Sequence, residues 1–390
     1  MKVCFDTFGC RLNRAEALQM EADFLARGWQ TTDEHADADL IIVRGCSVTA
    51  RAQRDCERLI DHLRRKYPNK RVVTTGCLTE KRNEHWLRDL GHATSGVPTR
   101  TARAYLKVQD GCSCNCSFCV VPQFRGPSVS LDFEQVLEKA RAFHAAGYNE
   151  IVVTGCNLSS YQSNGRHLAD LARALADLDP VRRVRLSSIE PGPAAQSLVE
   201  VMAEKPNICR FLHLTIQSGS NAILTAMRRP YSSKIVQEII QEATKRMPRL
   251  AIGCDLMVGF PGETDLDFLA TKMLFRRFTI AKAHIFPYSE RPGTAAALFR
   301  NALSSDVRHD RAHELAELAD AERTKFAKSF IGQTVEIVVE DEEHLAGWTS
   351  EYLWCSVPHA ASERSPFTRR QIMRIKVHQA EGHALVGVPV

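Results

Sequence analysis

The sequence predicts an α/β chain in three parts: an open parallel sheet, a partial barrel of six β/α units, and a small all-β unit at the end. Three observations carry that reading. Short runs rich in Val, Ile and Thr alternate with amphipathic helical stretches from Lys2 to about Gly96, and such alternation builds parallel sheets. The alternation restarts near Arg103 and repeats six times. From about Ile331 strand patterns follow one another with no helix between them. The predicted boundaries are residues 1–97, 98–328 and 329–390. A chain of 390 residues suits two or three domains and buries a full core without cross-links.

In the first part the strand candidates are VCFDTF, DLIIV and RVVTT, with AEALQMEADFLARG and AQRDCERLIDHLRRKY as the helices between them. Each strand ends on a turn that carries a thiol: Phe8-Gly9-Cys10, Arg44-Gly45-Cys46 and Gly76-Cys77. Ligand crevices in open parallel sheets lie at the carboxyl ends of the strands, so these thiols are expected to converge. In the second part RAYLKVQ, EIVVTG, RVRLSS, FLHLTI, AIGCDLMV and AKAHIF alternate with helical stretches such as FEQVLEKARAFHAAG and SKIVQEIIQEATKRM. Barrels of this kind place their chemistry on the loops after the strands. The loop after the first strand reads DGCSCNCSFC, with Cys112, Cys114, Cys116 and Cys119. A helical run from Ser304 to Ser329 leads to the last part, where QTVEIVVE, EYLWCSV and HALVGVPV read as strands.

No apolar signal core follows the early lysine, and no apolar run is long enough to span a membrane. A cytoplasmic protein is therefore expected, and clustered thiols there bind metal or do redox chemistry more often than they cross-link. Thirteen cysteines, an odd number, fit that better than a paired framework. The spacing CxxxCxxC of Cys112, Cys116 and Cys119 places three thiolates on one tight loop, enough for three corners of a [4Fe-4S] cubane with one iron left open. A structural zinc wants four ligands, usually as two separated pairs, and no second pair follows. Cys114 could serve as a ligand only by crowding between two others.

These residues resemble the radical S-adenosylmethionine (SAM) methylthiotransferases over nearly the whole chain. Cys10, Cys46 and Cys77 stand in the contexts TFGCRLN, VRGCSVT and TGCLTE, and further matches are RLSSIEP, LTIQSGS, LMVGFPGET and FPYSERPGT. The resemblance implies two [4Fe-4S] clusters, one held by Cys10, Cys46 and Cys77 and the other by Cys112, Cys116 and Cys119. It further implies a barrel in which the second cluster binds and cleaves SAM, giving a 5′-deoxyadenosyl radical that abstracts hydrogen from carbon 2 of an adenine. A C-terminal TRAM-like domain would bind the substrate. KVQDGC, RLSSIEP and FPYSERPGT look most like the branch that modifies N6-threonylcarbamoyladenosine beside the tRNA anticodon. The implied partners are tRNA and an electron donor of flavodoxin or ferredoxin type.

The candidate SAM contacts are Phe118 against the adenine, Thr154 and Gly155 at the methionine end, Glu190 and Gln217 for ribose or amino groups, and Gly259 in the GFPGE turn. Each has a local structural reading beside the functional one. Three departures from the family pattern stand out. Only 34 residues lie between Cys77 and Cys112, so the first domain is expected to lack its last strand and helix. Cys46 follows Arg44-Gly45 rather than Asn-Thr, which sets a positive charge beside the first cluster. Cys114 is an additional thiol.

The basic run Arg51, Arg54, Arg58, Arg64, Arg65, Lys66, Lys70 and Arg71 reads either as a phosphate-contacting surface or as a solvated helix face. Ile331 to Val390 holds five Lys/Arg against eight Asp/Glu, so only the strip Arg364 to Lys376 is a candidate RNA contact. Cys4, Cys56, Cys156, Cys209, Cys254 and Cys355 read as small buried hydrophobes, and no HExxH pattern is present. The competing readings are methylthiolation of isopentenyladenosine in tRNA or of a ribosomal protein aspartate, and a non-catalytic iron-sulfur RNA-binding protein.

Overall fold

The computed structural model describes residues 1–77, 97, 100–358 and 367–390. The reading that the first part lacks a closing strand and helix turns on residues 78–96, which lie outside the described residues.

The chain begins with β1 (Lys2–Thr7), α1 (Arg11–Ala26), β2 (Gln30–Thr31), β3 (Leu40–Gly45), α2 (Ala50–Lys66) and β4 (Arg71–Gly76). Their parallel sheet has the order β2-β1-β3-β4. The two-residue edge strand β2 has too short a pattern to be read from sequence. Every residue of β3 is buried, as a central strand covered on both faces requires. Ile41 and Val43 pack with Ile60 and Leu63 of α2, while Leu40 and Ile42 pack with Phe24 of α1. Thr49 caps α2 by accepting the Ala52 N–H.

The barrel region contains β5 (Ala104–Lys107), a small antiparallel pair β6 (Gln109–Asp110) and β7 (Val129–Ser130), and α3 (Val121–Arg125) between them. Then come α4 (Phe133–Ala145), β8 (Glu150–Thr154), the short pair β9 (Gln162–Ser163) and β10 (Arg166–His167), α5 (Leu168–Leu178), β11 (Arg183–Leu186) and α6 (Pro193–Glu204). The remainder is β12 (Phe211–Gln217), α7 (Asn221–Ala226), α8 (Ser233–Arg246), β13 (Ala251–Val258), α9 (Asp265–Arg277), β14 (Ile280–Pro287) and α10 (Ser305–Lys328). Two three-stranded parallel sheets, β11-β8-β5 and β12-β13-β14, are joined by single bridges at Val184–Ile208 and Ile189–Leu214. All six strand candidates of the sequence are present in an open barrel.

Side chains alternate along these strands. Leu106, Ile151, Val153, Val184, Leu186, Leu212, Leu214, Cys254 and Leu256 turn outward into one core with the helices. The inner face is therefore the charged one, carrying Lys107 on β5, Glu150 on β8, Arg183 and Arg185 on β11, His213 on β12, Asp255 on β13, and Lys282 and His284 on β14.

The last part is a closed five-stranded barrel, β15 (Thr334–Asp341), β16 (Ala346–Thr349), β17 (Trp354–Ser356), β18 (Ile372–Glu381) and β19 (Ala384–Pro389). Strands β16 and β18 were not legible in the sequence; β18 alternates buried and exposed residues over a polar run. This barrel sits on the inner face of β8 and β11. Glu150 is fully buried, 2.7 Å from Arg185 Nε and 2.9 Å from Arg183 Nε. The same guanidiniums donate onward to the carbonyls of Thr349 (2.8 Å) and Trp348 (2.9 Å). Burial alone would raise the Glu150 carboxyl, but Arg185, Arg183 and Arg103 hold it far below the usual carboxylate range. Removing such a carboxylate would cost about 3–5 kcal/mol, because three arginines would lose their shared anion.

One expected RNA contact is used in this way too. Arg370 donates to the Thr101 carbonyl (3.2 Å) and the Ala146 carbonyl (2.9 Å), so it ties the C-terminal barrel to the central one. Arg364 lies outside the described residues; Arg369, Arg374 and Lys376 are exposed.

Candidate active site

The three strand-end thiols of the first sheet meet. Gly45 and Gly76 are register partners on β3 and β4, and the Cys77 N–H donates to the Gly45 carbonyl at 3.1 Å. The loop after β1 closes against them through Gly9, at φ +94°, where an added Cβ would stand 2.7 Å from Cys46 Cβ. Asn13, fully buried, donates through Nδ2 to the carbonyls of Phe8 (2.8 Å) and Gly45 (2.9 Å) and so ties two strand ends together. Burial pushes the Cys46 thiol up to about 11, with Cys10 and Cys77 near enough to add to the shift.

A guanidinium from the barrel reaches this set. Arg125, the last residue of α3, donates through Nε to Cys77 Sγ at 3.1 Å and through Nη2 to Asn13 Oδ1 at 2.7 Å. Its Nη1 lies 3.0 Å from both Glu16 and Asp110. Glu16 also takes Lys107 at 2.5 Å and Arg44. Burial would raise the Glu16 carboxyl, but Arg44, Lys107 and Arg125 drive it well below the carboxylate range. The Arg44 charge, expected from sequence to bear on the thiols, is thus neutralised by Glu16.

The second set lies on the loop between β6 and α3. Gly111, at φ +67°, must be glycine because an added Cβ would stand 2.0 Å from the Pro127 carbonyl oxygen. Ser117 stitches the loop to the end of α7, its N–H donating to the Met227 carbonyl (3.1 Å) and its hydroxyl to that of Ala226 (2.8 Å). Arg229 donates through Nη1 to Cys116 Sγ at 3.1 Å, while its Nη2 lies 3.0 Å from Glu190.

The two middle thiols of this loop share the charges of Arg229 and Glu190 but differ in which stands nearest. Cys116 faces a cation, whereas Cys114 lies 3.7 Å from the Glu190 carboxylate. A hydrogen bond shared with Cys112, then burial and Glu190, push the Cys114 thiol far up. The same bond lowers Cys112. Burial pushes Cys119 up to about 11. The donor set suits a metal cluster: soft sulfurs, converging in threes, several of them costly to ionise as free thiolates, with a guanidinium aimed at one sulfur of each set.

The comparisons with known proteins agree with this geometry. The radical SAM superfamily model matches residues 106–275, and the model of uncharacterized protein family UPF0004 matches residues 2–95. The threonylcarbamoyladenosine tRNA methylthiotransferase MtaB of Bacillus subtilis is 30% identical over 90% of this chain and 89% of its own length. Its namesake from Chlamydia pneumoniae is 32% identical over 85% of each. The chain belongs to the radical SAM methylthiotransferase family. It is therefore an enzyme of that type. The tRNA-2-methylthio-N(6)-dimethylallyladenosine synthase of Mycobacterium ulcerans, 30% identical over 86% of this chain and 73% of its own length, represents another branch of the family. In fold, the chain is similar to the radical SAM methyltransferase TsrM of Kitasatospora setae, with a TM-score of 0.55 and 13% identity over 76% of this chain and 77% of that one.

The family's expected SAM contacts fall in different surroundings. Glu190 stands in the thiol site, receiving Asn157 Nδ2 at 2.9 Å as well as Arg229. Thr154 is buried at the inner end of β8, and Gln217 ends β12 with φ +68°. The other three have local duties. Phe118 packs edge-on to Phe260, with ring centroids 6.4 Å apart. An added Cβ on Gly155 would stand 2.8 Å from Gln109 Oε1. The Gly259 N–H donates to Glu263 at 2.7 Å, and Glu263 is held in turn by Arg311 at 2.6 Å, so the GFPGE turn is anchored within itself and to α10.

Sequence reasoning missed Asn13, Glu16, Asn157, Arg125 and Arg229. Asn13 lies within the quoted TFGCRLN motif, but nothing local marks either arginine. Nor is Cys156 in apolar surroundings as expected: its Sγ lies 3.5 Å from Asp110 Oδ1. Two further groups meet: Cys4 and Asp6 of β1 with His35 from the turn after β2, and His213, Asp255 and His284 from the separate strands β12, β13 and β14.

Proposed function

We propose that this enzyme adds a methylthio group to carbon 2 of N6-threonylcarbamoyladenosine beside the anticodon of tRNA. One observation carries the mechanism: the stretch Cys112 to Arg125 holds one thiol set and touches the other, through Arg125 and Cys77. Two reactive centres are thereby kept beside one another. The relatives named for this substrate and the RLSSIEP and FPYSERPGT motifs support the threonylcarbamoyl branch.

Cys112, Cys116 and Cys119 would hold one [4Fe-4S] cluster, and Cys10, Cys46 and Cys77 a second. When bound, the barrel cluster with SAM supplies radical chemistry and the second cluster supplies the sulfur that is transferred. The protein's own share is placement. Arg229 sets a positive charge at Cys116 and favours its thiolate, whereas Glu190 disfavours one at Cys114, which selects Cys116 as the ligand. Asn13 and Arg125 hold Cys77 and the first set in register with the barrel. Glu190, with Asn157 and Arg229, presents a carboxylate at the mouth where the amino group of SAM would be received.

The proposed partners are tRNA and a low-potential one-electron donor. Arg51, Arg54, Arg58, Arg64, Arg65 and Lys66 are exposed along α2 and form the basic face offered to the phosphate backbone. Among the described residues, no helix is long and apolar enough to cross a membrane.

Mass spectrometry of tRNA nucleosides from cells with and without this protein tests the proposal. The methylthio derivative of threonylcarbamoyladenosine should disappear on deletion and return with the wild-type chain. Loss of a different methylthio-adenosine, or of none, would refute it.

A further inference from the structure

The inner face of β12–β14 gathers cations that the thiol chemistry does not use. Lys282 Nζ lies 4.2 Å from the ring centroid of Tyr352, and the guanidinium of Arg11 lies 4.9 Å from the same ring. Tyr352 comes from the C-terminal barrel, stacked on Trp348 (4.5 Å between centroids, 13° between planes) and against Phe211 of β12 (4.9 Å). Arg11 opens α1 and directly follows Cys10. The three parts of the molecule therefore meet at this point.

The acidic side chain here is already engaged. Asp255 Oδ1 lies 3.0 Å from His213 Nε2 and 3.1 Å from His284 Nδ1. Arg185, 5.0 Å from the Tyr352 ring, is matched by Glu150. Lys282 and Arg11 are both half-buried, and among the described residues neither has an ion pair. Burial first, with Arg11, Arg323 and Arg185 behind it, outweighs the opposing pull of the Tyr352 phenol and brings the Lys282 ammonium down to about 8. Cations kept partly out of water without an anion carry an unrecovered desolvation cost. An arriving anion would recover it. The His213–Asp255–His284 group does not reverse this argument, since a metal cation there would face Arg11 and Lys282.

Resting on the proposed function, the substrate's own chemistry provides such an anion. A threonylcarbamoyl group ends in a carboxylate, whereas a dimethylallyl group is a neutral hydrocarbon that would leave both charges buried and unmatched. We infer that Lys282 and Arg11 bind the carboxylate of the threonylcarbamoyl group and so select this substrate over adenosines with apolar N6 groups. Arg11 offers a planar fork suited to a carboxylate, and Lys282 a point charge beside it. Because Arg11 adjoins Cys10, a base anchored here is held beside the N-terminal thiol set.

The test uses the reconstituted holoenzyme and three anticodon stem-loop RNAs, carrying threonylcarbamoyladenosine, its neutral methyl ester, or dimethylallyladenosine. Dissociation constants and methylthio product are measured for each. The wild type should bind the free acid roughly ten-fold or more tightly than the ester, the scale of a charge-assisted hydrogen bond. Lys282→Met should lower the acid's affinity most of the way toward the ester's, Arg11 keeping the remainder, while leaving the ester's unchanged, and Lys282→Arg should restore most of the preference. A misfolded variant would lose both RNAs alike, which separates damage from recognition. A wild-type enzyme that modifies the threonylcarbamoyl RNA but binds acid and ester equally overturns this inference and leaves the proposed function standing. One that modifies only the dimethylallyl RNA overturns the proposed function itself, and this inference with it.

Discussion

The two thiol sets invite comparison because each meets a guanidinium at 3.1 Å, yet they are built in opposite ways. Cys112, Cys116 and Cys119 share one loop, and their arginine, Arg229, belongs to the same barrel. Cys10, Cys46 and Cys77 come from three strand ends, and their arginine, Arg125, is contributed by the barrel region. The charge environments differ accordingly. Among the described residues Arg229 is ion-paired with Glu190 only, whereas Arg125 belongs to a network with Glu16, Asp110, Lys107 and Arg44 that joins the first sheet's part of the chain to the barrel. The barrel set is locally self-sufficient. The N-terminal set draws part of its surroundings from the barrel.

The sharpest test of that difference removes one set at a time. Changing Cys112, Cys116 and Cys119 together to alanine should lower iron in the anaerobically reconstituted protein from roughly eight to roughly four per chain. SAM cleavage and methylthio transfer should vanish together, and unchanged iron would show that the loop holds no cluster. Changing Cys10, Cys46 and Cys77 should remove the same amount of iron but spare reductive SAM cleavage, followed as 5′-deoxyadenosine, while methylthiolated RNA is no longer made. Product from that variant would refute the division of labour between the two sets.

The arginines give a smaller effect that bears on docking. Arg125→Gln removes the donor to Cys77 and leaves Glu16 short of a cation, so product formation should fall on the order of 10–100-fold while SAM cleavage persists. Arg229→Gln should lower SAM cleavage itself by a comparable factor, because the affected thiol is Cys116. If both variants depress both activities equally, the two sets are not independently supported. The smallest expected effect is that of Cys114→Ala. Its thiol touches Cys112, Asn157 and Glu190 but takes no hydrogen bond from Arg229, so both activities should stay close to wild type. Loss of the barrel cluster's electron paramagnetic resonance signal in this variant would show that Cys114, not Cys116, is the ligand.

Much of this molecule was legible in its strands. The six barrel strands and the three longer strands of the first sheet stand where their apolar runs predict, because a buried parallel strand writes its burial into consecutive residues. Strand β18 escaped because a small barrel strand needs only every second residue apolar, and it alternates Met373, Ile375 and Val377 with exposed polar residues; β16 escaped because AGWT is four residues with no strand-like run. Arg183 and Arg185 were read as part of a strand but not as the clasp on Glu150. Their role depends on which face the C-terminal barrel covers.

The sequence by itself determined the partial barrel, the CxxxCxxC loop after its first strand and the three cysteine-bearing strand ends, since each is a local pattern of spacing and hydrophobic period. Only the tertiary structure decided which charges attend the thiols. Arg125 and Cys77 are 48 residues apart, and Arg229 and Cys116 are 113 apart. No periodicity links side chains at such separations. They meet because sheet register and domain docking bring them together, and the same docking places Arg11, Lys282 and Tyr352 around one point drawn from three parts of the chain.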